Sequence, residues 1–194
     1  MSVHIQQVAS RRDDRAIFEP VDLFLEGPAA VQISGTNGAG KTTFLRTLAG
    51  LHTAFDGSFS MASALYQGHR LALDPLLSPL SNLHWYADLQ GQTLRDEQIA
   101  EALTRVGMRA HVLTPVARLS QGQQRRVTMA RWLLSEHTVW LLDEPTTALD
   151  TQGQALLQRM LAEHVEQGGV VLFATHEPVE LPDRLDLHIV GVSA

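Results

Sequence analysis

The sequence predicts an α/β fold, a strand-and-helix core interrupted by a helical insertion. Three observations predict it. Short apolar runs of strand type alternate with helix-period segments at both ends of the chain, whereas residues 70–118 hold helix-period segments alone. The chain has 194 residues, 44% of them apolar and 19% charged, which is enough for one domain with a sizeable core and too apolar for disorder. No repeat, low-complexity tract or linker divides it.

In order, residues 3–8 and 21–25 read as strands, with Glu26-Gly27-Pro28 as the turn that follows. Residues 29–34 (AAVQIS) form a buried-type strand running into a glycine-rich stretch. From residue 41 to 49, Phe44, Leu45, Leu48 and Ala49 recur at helical spacing. Residues 57–67 read as strand material, and 80–106 as two helices broken near Gly91. A helix over 122–135, a strand over 138–142, a helix over 151–167, and strands over 170–174 and 187–192 complete the pattern.

Composition excludes several activities. There is no cysteine, hence no disulfide framework, thiolate nucleophile or Cys-ligated metal. The net charge of −6 argues against a sequence-independent nucleic-acid binder, and no nucleic-acid partner is expected. No run of about 18 apolar residues occurs, and the first residues lack the pattern of a signal peptide. The expectation is a cytoplasmic protein that meets a membrane only through a partner.

Gly35-Thr36-Asn37-Gly38-Ala39-Gly40-Lys41-Thr42 fits the phosphate-loop pattern G-x-x-x-x-G-K-[ST], placed between a strand and a helix. Glycines let successive amides face phosphate oxygens, and the helix N-terminus adds partial positive charge. Lys41 is the only lysine among 15 basic residues, and it stands where an ammonium would reach β- and γ-phosphates. The Thr42 hydroxyl can ligate Mg²⁺, and Thr43 continues the loop. Val139-Trp140-Leu141-Leu142-Asp143-Glu144 is an apolar strand ending in two carboxylates. Asp143 suits the Mg²⁺ side of such a site, and Glu144 is then free to polarise an attacking water. His176 follows the strand at 170–174, where a neutral imidazole could contact the γ-phosphate.

Leu119-Ser120-Gln121-Gly122-Gln123 places Ser120 as the N-cap of a helix, which by itself implies only capping. With the other motifs in this order (GTNGAGKT, LSQGQ, LLDEP, Ala148-Leu149-Asp150, His176) the chain resembles the ABC ATPase family, Gln121 replacing the first glycine of its signature LSGGQ. The resemblance implies a P-loop NTPase core of ABC type (residues 1–69 and 119–194) with an inserted α-helical subdomain at about 70–118. It implies ATP and Mg²⁺ as ligands, with Lys41, Glu144 and His176 catalytic. It also implies a homodimer in which Ser120, Gln121, Gly122 and Gln123 of one copy face the nucleotide of the other, and Asp150 lies in the loop joining the two sites. The family's adenine-stacking aromatic falls here on Arg12, whose guanidinium can stack on a base. Its Mg²⁺-contacting glutamine falls on Arg70, which cannot ligate a cation, so Gln67 nearby is the expected metal contact beside Thr42 and Asp143.

The runs around 13–18, Gly68-His69, 81–86, 123–127 and 166–169 resemble the ATP-binding subunits of cytochrome c maturation systems. That implies an integral membrane transporter subunit as partner, a place at the cytoplasmic face of the bacterial inner membrane, and energy for handling haem or its chaperone. Another ABC exporter or importer, or a non-transport nucleotide switch, are the alternatives. No direct haem site is expected, with no cysteine and no C-x-x-C-H. The run Leu83-His84-Trp85-Tyr86 is read as either docking surface or core.

Overall fold

A computed structural model describes residues 2–13, 15–177 and 179–192; Asp14 of the basic–acidic run 11–15 lies outside them. The chain divides into two compact units, 1–69 with 137–145 and 158–194, and 70–136 with 146–157. Residues 119–136 and 146–157, expected with the core, group by their internal contacts with the helical segment.

The first unit is built on two sheets. In the antiparallel one, strand β1 (Ser2–Arg12) is central, paired with β3 (Val21–Glu26) and β5 (Phe55–Ser60), while its end pairs with the two-residue β2 (Arg15–Ala16). The other sheet is parallel, in the order β6-β7-β8-β4-β9: β6 (Ala64–Gln67), β7 (Val139–Asp143), β8 (Val170–Ala174), β4 (Ala29–Ser34), β9 (Leu185–His188). Strands β7 and β8 are buried at every position, as expected of central parallel strands covered on both faces. Helix α1 (Lys41–Leu48) touches β1, β7 and β8, and Phe44 and Leu45 enter a core with Val3, Ile5, Ile33, Leu141 and Leu172. A buried hydroxyl pair, Ser10 with Thr47 at 2.7 Å, ties β1 to α1.

The strand material expected over 57–67 divides between two strands: β5 joins the antiparallel sheet and β6 the parallel sheet, with 61–63 as the crossing. Gly57 (φ +86) permits the close passage of β5 over the β1 bulge, since a Cβ there would meet the Gln7 carbonyl oxygen at 2.2 Å. One strand expectation is corrected: the last strand is Leu185–His188 instead of 187–192, and beyond it Ile189 N–H donates to Ser34 O and Val192 N–H to Ile17 O.

The helical unit contains α2 (Pro79–Leu89), α3 (Asp96–Arg105) and α4 (Gln121–Leu133), the expected break falling at Gly91 (φ +70). Leu83, Ala87, Ile99, Leu103 and Val127 are buried. Ser78 caps α2 by accepting from Ser81 N–H, with Pro79 at the first helical position. Helix α5 (Thr151–Glu166) begins in this unit and ends in the first.

Candidate functional site

Strand β4 delivers the chain into the loop at Gly35, and α1 starts directly at Lys41. Two glycines are fixed by geometry. At Gly35 (φ +143) a Cβ would lie 2.5 Å from the Ile189 carbonyl oxygen, and at Gly40 (φ +103) 2.6 Å from Phe18 Cδ1. Gly40 is the N-cap of α1 and has no side chain to cap with, so the first helical amides stay available to an anion. Lys41, 8% exposed, donates from Nζ to Gly35 O (2.9 Å) and Thr36 O (3.1 Å), which arches its ammonium over the loop. Thr36, Asn37 and Gly38 are exposed along its rim, and Ala39 is buried.

Next to the loop, Thr42 Oγ1 approaches both oxygens of Asp143, at 3.1 and 2.9 Å. Asp143 ends β7 and is 1% exposed. A carboxylate this buried needs donors or a cation around it. Its charge is felt nearby: the Tyr66 hydroxyl is pushed up to about 12, first by burial and then by Asp143. Glu144 adopts a left-handed backbone (φ +52), held by donation from its N–H to Ala174 O of the neighbouring strand (2.8 Å). A non-glycine residue in that region costs about 1–3 kcal/mol and is held only where the surroundings demand it. The turn brings Glu144 Oε1 to 3.4 Å from His176 Nε2, beyond the end of β8.

The structure therefore brings Lys41, Thr42, Asp143, Glu144 and His176 to the carboxyl ends of β4, β7 and β8, the edge where open α/β sheets present ligand groups. Gln67 ends β6, buried, and its amide donates to Gly68 O at 2.7 Å. His69 reaches Asp143, with Nε2 3.3 Å from Oδ2. Sequence reasoning missed His69 because its neighbour on β7 is set by the parallel register, Gln67 opposite Leu142, across more than 70 residues of chain. Arg12 is exposed at the end of β1, paired across the strand with Arg15.

In the helical unit, Ser120 and Gln123 form a reciprocal cap at the start of α4. Ser120 Oγ accepts from Gln123 N–H (3.2 Å), and Gln123 Oε1 accepts from Ser120 N–H (2.9 Å). Gln123 Nε2 also contacts His111 Nε2 at 3.1 Å. Gln121 is exposed at the first helical position. Gly122 has no room for a side chain, since a Cβ would sit 2.8 Å from Ala148 O. Asp150 Oδ1 accepts from Gly153 N–H (2.7 Å) and Arg126 Nη2 (2.9 Å), which together hold its carboxyl below the usual range. Ser120, Gly122, Arg126 and Asp150 thus line one cavity of about 440 Å³. Of the aromatic run on α2, Leu83 is buried, Tyr86 lies under the Arg131 guanidinium at 4.6 Å, and Trp85 is 54% exposed. Among the described residues no helix is long and apolar enough to cross a membrane.

Residues 18–147 match the model of the ABC transporter family. The chain is 42% identical over 192 residues to the cytochrome c biogenesis ATP-binding export protein CcmA of Nitrobacter winogradskyi, covering 94% of each chain. It is 37% identical over 188 residues to the CcmA of Vibrio parahaemolyticus, covering 90% of this chain and 92% of the relative. In fold it is similar to a putative ABC transporter ATP-binding protein from Pyrococcus furiosus, with a TM-score of 0.86, 22% identity and 97% of each chain covered. A family match over two thirds of the chain and relatives aligned nearly end to end give one conclusion: the chain belongs to the ABC transporter family, as an ATP-binding subunit of the ATPase type.

Proposed function

We propose that this ATPase energises a step of c-type cytochrome biogenesis, acting as a homodimer docked on an integral membrane subunit at the cytoplasmic face of the inner membrane. The observation that carries the catalytic part is the convergence of Lys41, the Thr42–Asp143 pair and the Glu144–His176 pair at one sheet edge. The names borne by the relatives support the cellular role.

Residues 35–43 hold the triphosphate through their amides and the Lys41 ammonium, which exchanges the carbonyls of Gly35 and Thr36 for phosphate oxygens. A divalent cation fits beside them, because a buried carboxylate and a hydroxyl already face each other there. A bound Mg²⁺ would supply positive charge against the triphosphate, held by Thr42 and Asp143. Glu144 orients a water and takes its proton as the water oxygen bonds to the γ-phosphorus and ADP leaves with the electrons of the broken bond. His176, close to Glu144, donates toward the γ-phosphate. Arg12 stacks on adenine. Ser120, Gln121, Gly122 and Gln123 act on the nucleotide of the second copy, with Asp150 in the connecting loop. The two units together make one ATPase domain, and the substrate is selected by the membrane subunit. No residue of this chain is assigned to haem.

The test is complementation of a bacterial strain lacking such an ATPase, read by haem staining of its c-type cytochromes. The expected result is recovery with the wild-type chain and none with Glu144→Gln. An ATP-hydrolysing wild-type chain that restores no c-type cytochrome overturns the biogenesis role.

A further inference from the structure

We propose that His69 is a nitrogen ligand of the divalent cation in this site and makes it more tolerant than an all-oxygen site of first-row transition cations, which accept imidazole. The proposal rests on the reading of Thr42 and Asp143 as the protein's side of the metal site.

Two groups converge on one carboxylate oxygen. Thr42 Oγ1 is 2.9 Å and His69 Nε2 3.3 Å from Asp143 Oδ2. Donors bound about 2.1 Å from an octahedral ion stand about 3.0 Å apart at right angles, so both separations match edges of one coordination shell. The imidazole is placed by β6: Gln67 lies level with Leu142 on β7, and the chain leaves the sheet two residues later beside the end of β7. His69 has 61% of its side chain exposed, so a small ring rotation costs no packing. The alternatives nearby are poorer donors. Gln67 is 1% exposed and offers only a neutral amide, and Arg70 carries a guanidinium, which has no lone pair to give.

The donor set also says what kind of cation is served. Among the described residues no three His, Cys, Asp or Glu side chains gather, so the protein offers one hydroxyl, one carboxylate and one imidazole. Such a set takes a cation that arrives with phosphate and water ligands. Mg²⁺ keeps to an all-oxygen octahedron, whereas first-row transition cations accept imidazole, Mn²⁺ the most weakly of the series and Fe²⁺, Co²⁺ and Ni²⁺ more strongly. A nitrogen at this corner therefore narrows the usual advantage of Mg²⁺.

The experiment is pulsed EPR on the full chain with Mn²⁺ and a non-hydrolysable ATP analogue, the protein carrying either natural or ¹⁵N-labelled histidine. Labelling the protein alone separates its nitrogens from those of adenine. The expected result is a phosphorus coupling together with a nitrogen coupling that changes with the isotope and is lost in His69→Ala. The same variant should weaken Mn²⁺ binding to the nucleotide complex several-fold and Mg²⁺ binding less. A phosphorus coupling without any histidine nitrogen coupling refutes the ligand role of His69 and leaves the metal reading of Thr42 and Asp143 standing. Failure of the wild-type chain to retain Mn²⁺ with the nucleotide overturns both.

Discussion

Replacing Gly122 with alanine sets two known effects against each other at one atom. Gly122 is the second residue of α4, and alanine favours a helix over glycine by up to about 1 kcal/mol. The new methyl, however, would stand 2.8 Å from Ala148 O, about 0.6 Å inside the 3.4 Å at which ordinary contact begins. That carbonyl cannot retreat easily. Ala148 is in a left-handed conformation (φ +65), and two residues on Asp150 is held by Gly153 N–H and Arg126. Overpacking of this kind costs about 1–3 kcal/mol. The helix gain offsets only part, leaving a net loss of about 1 kcal/mol, or roughly 2–4 °C in Tm for a chain of this size. Displacing either loop also moves the Ser120 cap and Asp150 together, so turnover should fall on the order of 10-fold or more. Thermal unfolding by circular dichroism and phosphate release read the two effects. A Gly122→Ala protein as stable as wild type or more so, with wild-type turnover, would refute the close-approach argument.

Three other perturbations have defined outcomes. Glu144→Gln keeps the shape of the side chain but removes its charge; it should retain ATP, lose hydrolysis and accumulate as a nucleotide-bound dimer in size exclusion, and wild-type turnover would sink the role given to Glu144. Lys41, as the only lysine, offers a lysine-directed reagent one side-chain target besides the N-terminus. ATP should protect it, and an unchanged labelling rate would contradict the cradle. His164 stacks on buried Trp140 at 3.8 Å, faces Thr138 O at 3.1 Å, and burial lowers its pKa below 6.5. The unfolded chain then takes up a proton near pH 6.5 that the folded one refuses, so the stability this residue contributes is complete above that pH and is lost as pH falls below it. His164→Phe should flatten the acid limb of Tm against pH, and an identical limb in both proteins would dismiss the attribution.

The legible parts of the site are those in which neighbours in sequence are also neighbours in space. The phosphate loop is eight consecutive residues, and the N-cap pair Ser120 and Gln123 lies within one helical turn. The strand at β7 was legible because central parallel strands are apolar at every position. The residues at 57–67 announced strand but not which sheet, since pairing partners are not written in local sequence; the segment divides between β5 and β6 in different sheets. The aromatic run on α2 was similarly mixed. One helical face buries Leu83 while Trp85, two residues on, points away and stays exposed.

By itself the sequence determined the chemistry on offer: one ammonium in a glycine loop, two carboxylates at a strand end, a histidine past another strand, and a capped helix. These are properties of residue type and short spacing, which local sterics and hydrogen bonding enforce. Only the tertiary structure decided which groups meet. The parallel register of β6 against β7 brings His69 to Asp143, and the hydrogen bond from Glu144 to Ala174 turns that carboxylate toward His176. Such meetings depend on strand order and offset between segments far apart in the chain, and no local periodicity records them.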